Sequence, residues 1–376
     1  MNFQKFQKSA HRKDAEGAKD FKTCALSFFA FFAPLRWAFL FPVLLSGTLW
    51  LGGCAGTREP VPEFVENTED VRVRVLFDPF AGREAGKVPV RFTAFPKGLR
   101  TAVCFGGDVK GEEAWELAGL LQQYGWRGTL FFPCKMEGKA AAAVADGILQ
   151  VEARGMEVGC RTSFGRMEDV TRCASEGKTF WDAFLTRPVV SFGGVEDIAP
   201  GDAVTLGERG YLSVCSADGV MALGTSRKER FVLPCPHDGH ADMARRWIAV
   251  REQEGGLFYV WKRLCASNAD PLPWEELESL LAEYGRMEDA WYCTQGEWAA
   301  YVLMRDTSRI VRLEGEENEL CIEIKPGRSV PETWCSALTV ELKTSPESVV
   351  MVLVEDRPVA FETQGERVLF EVEMVR

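Results

Sequence analysis

With 376 residues, 46% of them apolar, the chain can bury one large core and a smaller unit beside it. It carries 44 basic against 55 acidic residues and shows no basic stripe or interleaved aromatic–basic patch, which argues against nucleic acid as a partner. The first 53 residues differ from the rest: Lys5, Lys8, Arg12, Lys13, Lys19 and Lys22 make a basic start, and Cys24 to Leu51 is an apolar run broken only by Arg36.

That run ends in Leu51-Gly52-Gly53-Cys54, which resembles a bacterial lipobox, a small-residue cleavage site directly before a cysteine. The resemblance implies that residues 1–53 are a lipoprotein signal peptide and that Cys54 becomes the acylated N-terminus. A transmembrane anchor is the alternative, since the stretch is long enough to span a bilayer, and either reading exports the rest of the chain. Removing the segment takes away seven basic and three acidic residues, leaving 37 against 52, a net of −15. Ala55 after the cysteine, rather than Asp, points to the outer membrane if the cell is Gram-negative. The expected location is therefore the cell envelope, with membrane contact through the lipid anchor.

Residues 54–98 read as a polar tether followed by a short β segment, in which 71–76 and 88–92 alternate like a β-pair. From Thr101 the pattern becomes strand then helix, repeatedly. Strands are expected at 101–105, 129–133, 156–160, 188–192, 211–215, 231–235, 257–262 and 290–294. Helices are expected at 111–124, 138–153, 167–185, 201–209, 240–253, 273–284 and 295–305. Such alternation implies an α/β domain over 99–306, a barrel of seven to eight parallel strands with helices outside. Past Ser308 the helical period stops, and alternating runs near 320, 338, 349 and 368 imply a small antiparallel β-sandwich over 307–376.

Ten cysteines follow Cys54. Cys104, Cys134, Cys160, Cys215, Cys235 and Cys293 fall at or near expected strand ends. Cysteine as a small buried hydrophobe accounts for this placement. Export also permits disulfides, and a thiolate metal cluster is the sharper alternative.

Six stretches, in order on these elements, resemble the polysaccharide deacetylases (NodB-homology, carbohydrate esterase family 4). Val103-Cys104-Phe105-Gly106-Gly107-Asp108 stands where that family has Thr-Phe-Asp-Asp-Gly. Gly155-Met156-Glu157-Val158-Gly159 is similar to the strand before its His-Thr-x-x-His ligands. Ser191-Phe192-Gly193-Gly194, Leu233 to Asp238, Leu257-Phe258-Tyr259-Val260-Trp261 and Ala290 to Glu297 track later motifs. The resemblance implies a deacetylase-like distorted (β/α) barrel. It also places Gly106 and Gly107 at the two Asp positions, and Arg161 and Gly165 at the two His positions.

Hydrolysing an acetyl group in this way needs a divalent metal to polarise the carbonyl and activate water, together with a carboxylate base and an acid. Glycine has no ligand atom, and a protonated arginine has no lone pair to give. The inherited site is thus expected to be absent, the chain a pseudoenzyme, and no cofactor is expected. A relocated zinc-type site built from Asp108, His237 and His240 is the alternative, with Asp108 also the candidate catalytic carboxylate. The bland reading makes Asp108 a helix cap and the histidines loop residues. Arg161, Lys262 and Arg263 put positive charge near the lost metal. With Trp261 and Trp291 they are the candidate contacts to a polysaccharide or oligosaccharide, an acidic one included. Local ion pairing of these cations, with Asp108 among the partners, is the competing reading. A third reading makes the chain a structural envelope protein whose C-terminal β module binds, with a barrel that survives truncation after Arg305.

Overall fold

The strand Thr101–Asp108 (β3) is buried along its whole length, as expected of a strand covered on both faces. It lies between Gly256–Arg263 (β10) on one edge and, on the other, Gly128–Pro133 (β4) with the short Ala290–Tyr292 (β11) beside it. Glu157–Arg161 (β5), Ser191–Val195 (β6) and Ser213–Ser216 (β7) continue the sheet, and these seven strands run parallel. In this computed structural model the described residues are 69–81, 85–109, 111–134, 139–162, 170–195, 199–216, 219–230, 239–263 and 273–374.

The barrel is a curled sheet rather than a closed ring of eight parallel strands. Past β7 an antiparallel hairpin, Gly219–Ala222 (β8) and Lys228–Arg230 (β9), forms the edge, and among the described residues β9 and β10 are not paired. The strand expected at 231–235 lies outside the described residues. The helices follow the sequence expectation: Glu112–Gln123 (α1), Lys139–Ala153 (α2), Val170–Asp182 (α3), Pro200–Glu208 (α4), Gly239–Glu252 (α5), Trp274–Glu283 (α6) and Gln295–Thr307 (α7). On α1, Ala114, Leu117, Ala118 and Leu121 are buried at helical spacing. Its end is a Schellman cap, in which Gly125 at φ +74° donates to Gln122 O and Trp126 donates to Leu121 O. The same pair of bonds closes α2 at Gly155 and Met156. In both cases the glycine reverses the chain and drives the next apolar residue into the core at the start of a strand.

The β module takes strands from both ends of the described chain. Val71–Phe77 (β1) does not pair with Val90–Phe92 (β2), as the sequence reading expected. The C-terminal strands are Arg309–Leu313 (β12), Glu319–Lys325 (β13), Ala337–Lys343 (β14), Val349–Val354 (β15), Arg357–Val359 (β16), Phe361–Gln364 (β17) and Arg367–Glu373 (β18). Among them β1 is the centre of the five-stranded sheet β12-β13-β1-β15-β16, and β2 is an edge of the four-stranded sheet β17-β18-β14-β2. Alternation tells which face of a strand is buried but not which strand lies beside it, so the segments expected separately at 54–98 and 307–376 contribute strands to the same two sheets.

Helix α7 joins the two parts. It is buried on all sides from Gln295 to Met304 except for Glu297, which is possible only for a helix covered by both neighbours. The Tyr301 hydroxyl lies 3.1 Å from Thr93 Oγ1 and accepts from Thr339 N. One apolar core runs from the barrel interior (Cys104, Phe131, Tyr259) through α7 to the sandwich (Val73, Ile322, Val340). Cys134, just past β4, forms a disulfide with Cys173 on α3.

Candidate functional site

The parity of β3 decides what faces the barrel interior. Cys104, Gly106 and Asp108 point inward, and Val103, Phe105 and Gly107 point toward the helices. A Cβ on Gly106 would lie 2.5 Å from Trp261 Cε3 and closer still to the Tyr259 hydroxyl. A Cβ on Gly159 would come 2.7 Å from the Phe131 ring, and one on Gly193 2.8 Å from it. Three glycines thus face three aromatic side chains that fill the mouth, with Phe131 and Trp261 centroids 5.3 Å apart and Tyr259 stacked on Trp261 at 6.4 Å. The space a ligand-bearing side chain would need at position 106 is taken by rings.

Above that plug lies a buried ion pair. Arg161 Nε is 3.8 Å from Asp108 Oδ1, with the side chains 2% and 1% exposed. Arg161 also donates from Nε to Phe131 O at 3.3 Å and from Nη1 to Thr162 O at 3.0 Å. The fit of a divalent metal can be tested on these atoms. Gly106 offers no donor, a side chain there would meet Tyr259 and Trp261, and the guanidinium at 161 repels a cation. The residues present do not fit the metal that the family resemblance implies. No group of three His, Cys, Asp or Glu among the described residues is placed to hold one. Of the relocated set, Asp108 faces the mouth, and His240 is in the first turn of α5 with its side chain outside the described residues. His237, Asp238, Gly165 and Cys54 lie outside the described residues.

The expected contact residues do not gather in one pocket. Arg161 and Trp261 are at the mouth, both buried. Lys262 pairs in register with Gly107 and so lies on the helix side, its Nζ 4.8 Å from the Trp274 ring centroid. Burial pulls the Lys262 ammonium down to about 8. Arg263 ends β10 opposite Asp108, and its side chain is outside the described residues. Trp291 pairs with Ala102 at the far end of β3 and packs on Phe95 and Tyr301 at 5.6 and 5.7 Å, so it belongs to the base of the barrel. The sequence reading overlooked Trp274, the first residue of α6, which is 38% exposed. A Trp directly after Pro273, ahead of the acidic turn Glu275-Glu276, is a signal that an apolar ring sits on a helix end rather than in its buried stripe.

At the base, the inward residues of the strand starts form a polar network. Glu157 Oε2 accepts from Thr129 Oγ1 at 2.6 Å and from Gly296 N at 2.7 Å. Gln295 N donates to Thr129 Oγ1, Gln295 Nε2 to Ser213 Oγ, and Tyr259 Oη to Gln295 Oε1, at 2.9, 2.7 and 2.7 Å. Burial pushes the Glu157 carboxyl up, opposed by its hydrogen bonds from Ser191, Thr129 and Gly296. This network docks the N-terminus of α7 and is structural. Glu297 is an acid in the first turn of α7 and closes a capping box with Thr294. Cys104, Cys215 and Cys293 are buried and outside any disulfide, and burial raises Cys104 and Cys293 well above the ordinary thiol value. They behave as small core residues.

Fold and site together define a curled sheet with seven parallel strands and an antiparallel edge hairpin, covered by helices, whose mouth is packed with rings beneath an ion pair. Solved structures similar to it are polysaccharide deacetylases of carbohydrate esterase family 4. The peptidoglycan deacetylase PdaC from Bacillus subtilis is 14% identical, with 54% of this chain and 91% of that one covered and a TM-score of 0.33. Wild-type BA3943 from Bacillus anthracis, a pseudoenzyme of that family, is 14% identical over 53% of this chain and 64% of that one, with a TM-score of 0.33. The Xyl-CE4 domain of a multidomain xylanase from the hindgut metagenome of Trinervitermes trinervoides is 9% identical over 49% and 80%, with a TM-score of 0.31. No family model and no curated protein matches the sequence.

Proposed function

We propose that the chain is an exported, lipid-anchored envelope protein that binds polysaccharide at the rim of a deacetylase-like barrel and does not hydrolyse it. The observation that carries this reading is the Asp108–Arg161 pair, buried where the chemistry would need a metal and an open coordination position. Glycan contact then moves from the filled interior to the rim. There Trp274 offers an exposed ring suited to stacking on a sugar, with the Lys262 ammonium beside it to favour an acidic glycan. The Cys54 motif supports lipid anchoring, and the Cys134–Cys173 disulfide supports an oxidising compartment.

Cosedimentation with insoluble peptidoglycan and with xylan tests the binding, and acetate release from the same polymers, with and without zinc, tests the chemistry. Binding that weakens roughly tenfold in Trp274→Ala, as loss of one stacked ring worth about 1.4 kcal/mol implies, fits the proposal. Acetate release above background that disappears in Asp108→Asn would overturn it.

A further inference from the structure

We infer that the Arg161 guanidinium is a built-in cation that takes over the structural duty of a metal, tying the ends of three neighbouring strands to one buried positive charge. The inference rests on the reading of the mouth as a replaced catalytic centre. A divalent ion at a strand-end site gathers a carboxylate and neutral oxygens from adjacent strands. Arg161 gathers the same kinds of group: the Asp108 carboxylate from the end of β3, the Phe131 carbonyl from β4, and the Thr162 carbonyl just past β5. At 3.8 Å the contact with Asp108 is one of charge, while the carbonyls take directed hydrogen bonds from the planar fork.

The backbone at 161 is fixed in turn. Its carbonyl accepts from Cys134 N at 2.8 Å, and Thr162 N donates to Gly193 O at 3.2 Å. Backbone bonds to the segment after β4 and to β6 therefore fix residues 161 and 162, and the guanidinium they carry, 2% exposed, reaches groups of three strands. The substitutions around it are concerted. A second carboxylate at 106 would meet the rings of Tyr259 and Trp261, and among the described residues at the mouth a single carboxylate, Asp108, faces the single charge of arginine. A divalent ion would want more negative charge than these described residues supply. The site has exchanged an exchangeable cation for a covalently attached one, and with it the open coordination position.

The test is cation rescue in the full chain. Arg161→Ala leaves a guanidinium-shaped cavity beside a buried carboxylate, and its melting temperature is expected to fall by about 6–12 °C. Low-millimolar guanidinium chloride should then raise the melting temperature of Arg161→Ala relative to equal sodium chloride, and leave that of the wild type unchanged. If Arg161→Ala does not fold, the cycle of Asp108→Asn, Arg161→Gln and the double variant decides. The double variant, with both charges removed, is expected to melt higher than Arg161→Gln alone. A folded Arg161→Ala that melts like the wild type, or that guanidinium does not raise, overturns the inference, as does a cycle whose effects simply add. Retention of one divalent ion per chain by the wild type, lost in Asp108→Asn, overturns it as well. Glycan binding is read separately through Trp274→Ala, so failure of the binding proposal leaves this result interpretable.

Discussion

Replacing Glu157 with alanine probes the joint that unites barrel and sandwich. Glu157 Oε2 is the acceptor for the Thr129 hydroxyl and for the Gly296 amide in the first turn of α7. Both donors are buried, and truncation leaves each without that acceptor, at about 1–3 kcal/mol apiece. The sum is about 2–6 kcal/mol, before any gain from water entering the gap. At roughly 2 °C per kcal/mol for a chain of this size, the melting temperature should drop by about 4–12 °C. Denaturant titration and calorimetry of Glu157→Ala and Glu157→Gln measure it, with Gln keeping one acceptor and losing less. The pH dependence separates charge from shape. Burial raises the folded carboxyl above its ordinary value of 4.5, so between that pH and the raised value the native state keeps a proton that the unfolded chain has released. The contribution of Glu157 to stability is full below pH 4.5 and declines as pH rises through the folded value, and this decline should be missing from Glu157→Gln. A loss under about 1 kcal/mol for Glu157→Ala, or an unchanged pH slope in Glu157→Gln, would refute the assignment of Glu157 as the anchor of α7.

Two further outcomes follow from packing. Gly106→Ala should cost about 1–3 kcal/mol because its methyl meets Tyr259 and Trp261, and most of that cost should vanish in a Trp261→Ala background; additive losses in the double variant would show that the rings are not what excludes a side chain. Truncation after Arg305 should yield insoluble or proteolysed protein, because it strips β1 of both partners and uncovers α7. A soluble barrel with a cooperative melt after that cut would restore the idea of an independent C-terminal module.

Much of the barrel could be read from the chain because its determinants are local. Helix ends are written in Tyr124-Gly125-Trp126 and Arg154-Gly155-Met156, where a glycine supplies the left-handed turn and the next residue is apolar. Strands buried on both faces appear as short apolar runs such as Thr101 to Phe105. The residue types at 106 and 161 were legible too, glycine and arginine, neither of which has a lone pair to give a metal. Strand partnership was not. The sequence places 71–76 and 88–92 as neighbours, yet the fold sends them to opposite sheets, because alternation carries no information about which strand lies alongside.

The residue types alone therefore determined that this chain has an α/β barrel pattern, an acidic composition, and glycine at 106 and arginine at 161. Tertiary structure decided what occupies that mouth. Whether Arg161 reaches outward to a ligand or inward to Asp108 depends on β3 running on to residue 108, which turns that carboxylate toward the barrel interior. Whether Trp291 or Trp274 belongs to the rim depends on which end of a strand each adjoins, and that follows from register. Charge and aromaticity are properties of a side chain. Which way it faces, and what it therefore touches, is set by pleat, register and the neighbours the fold brings to it.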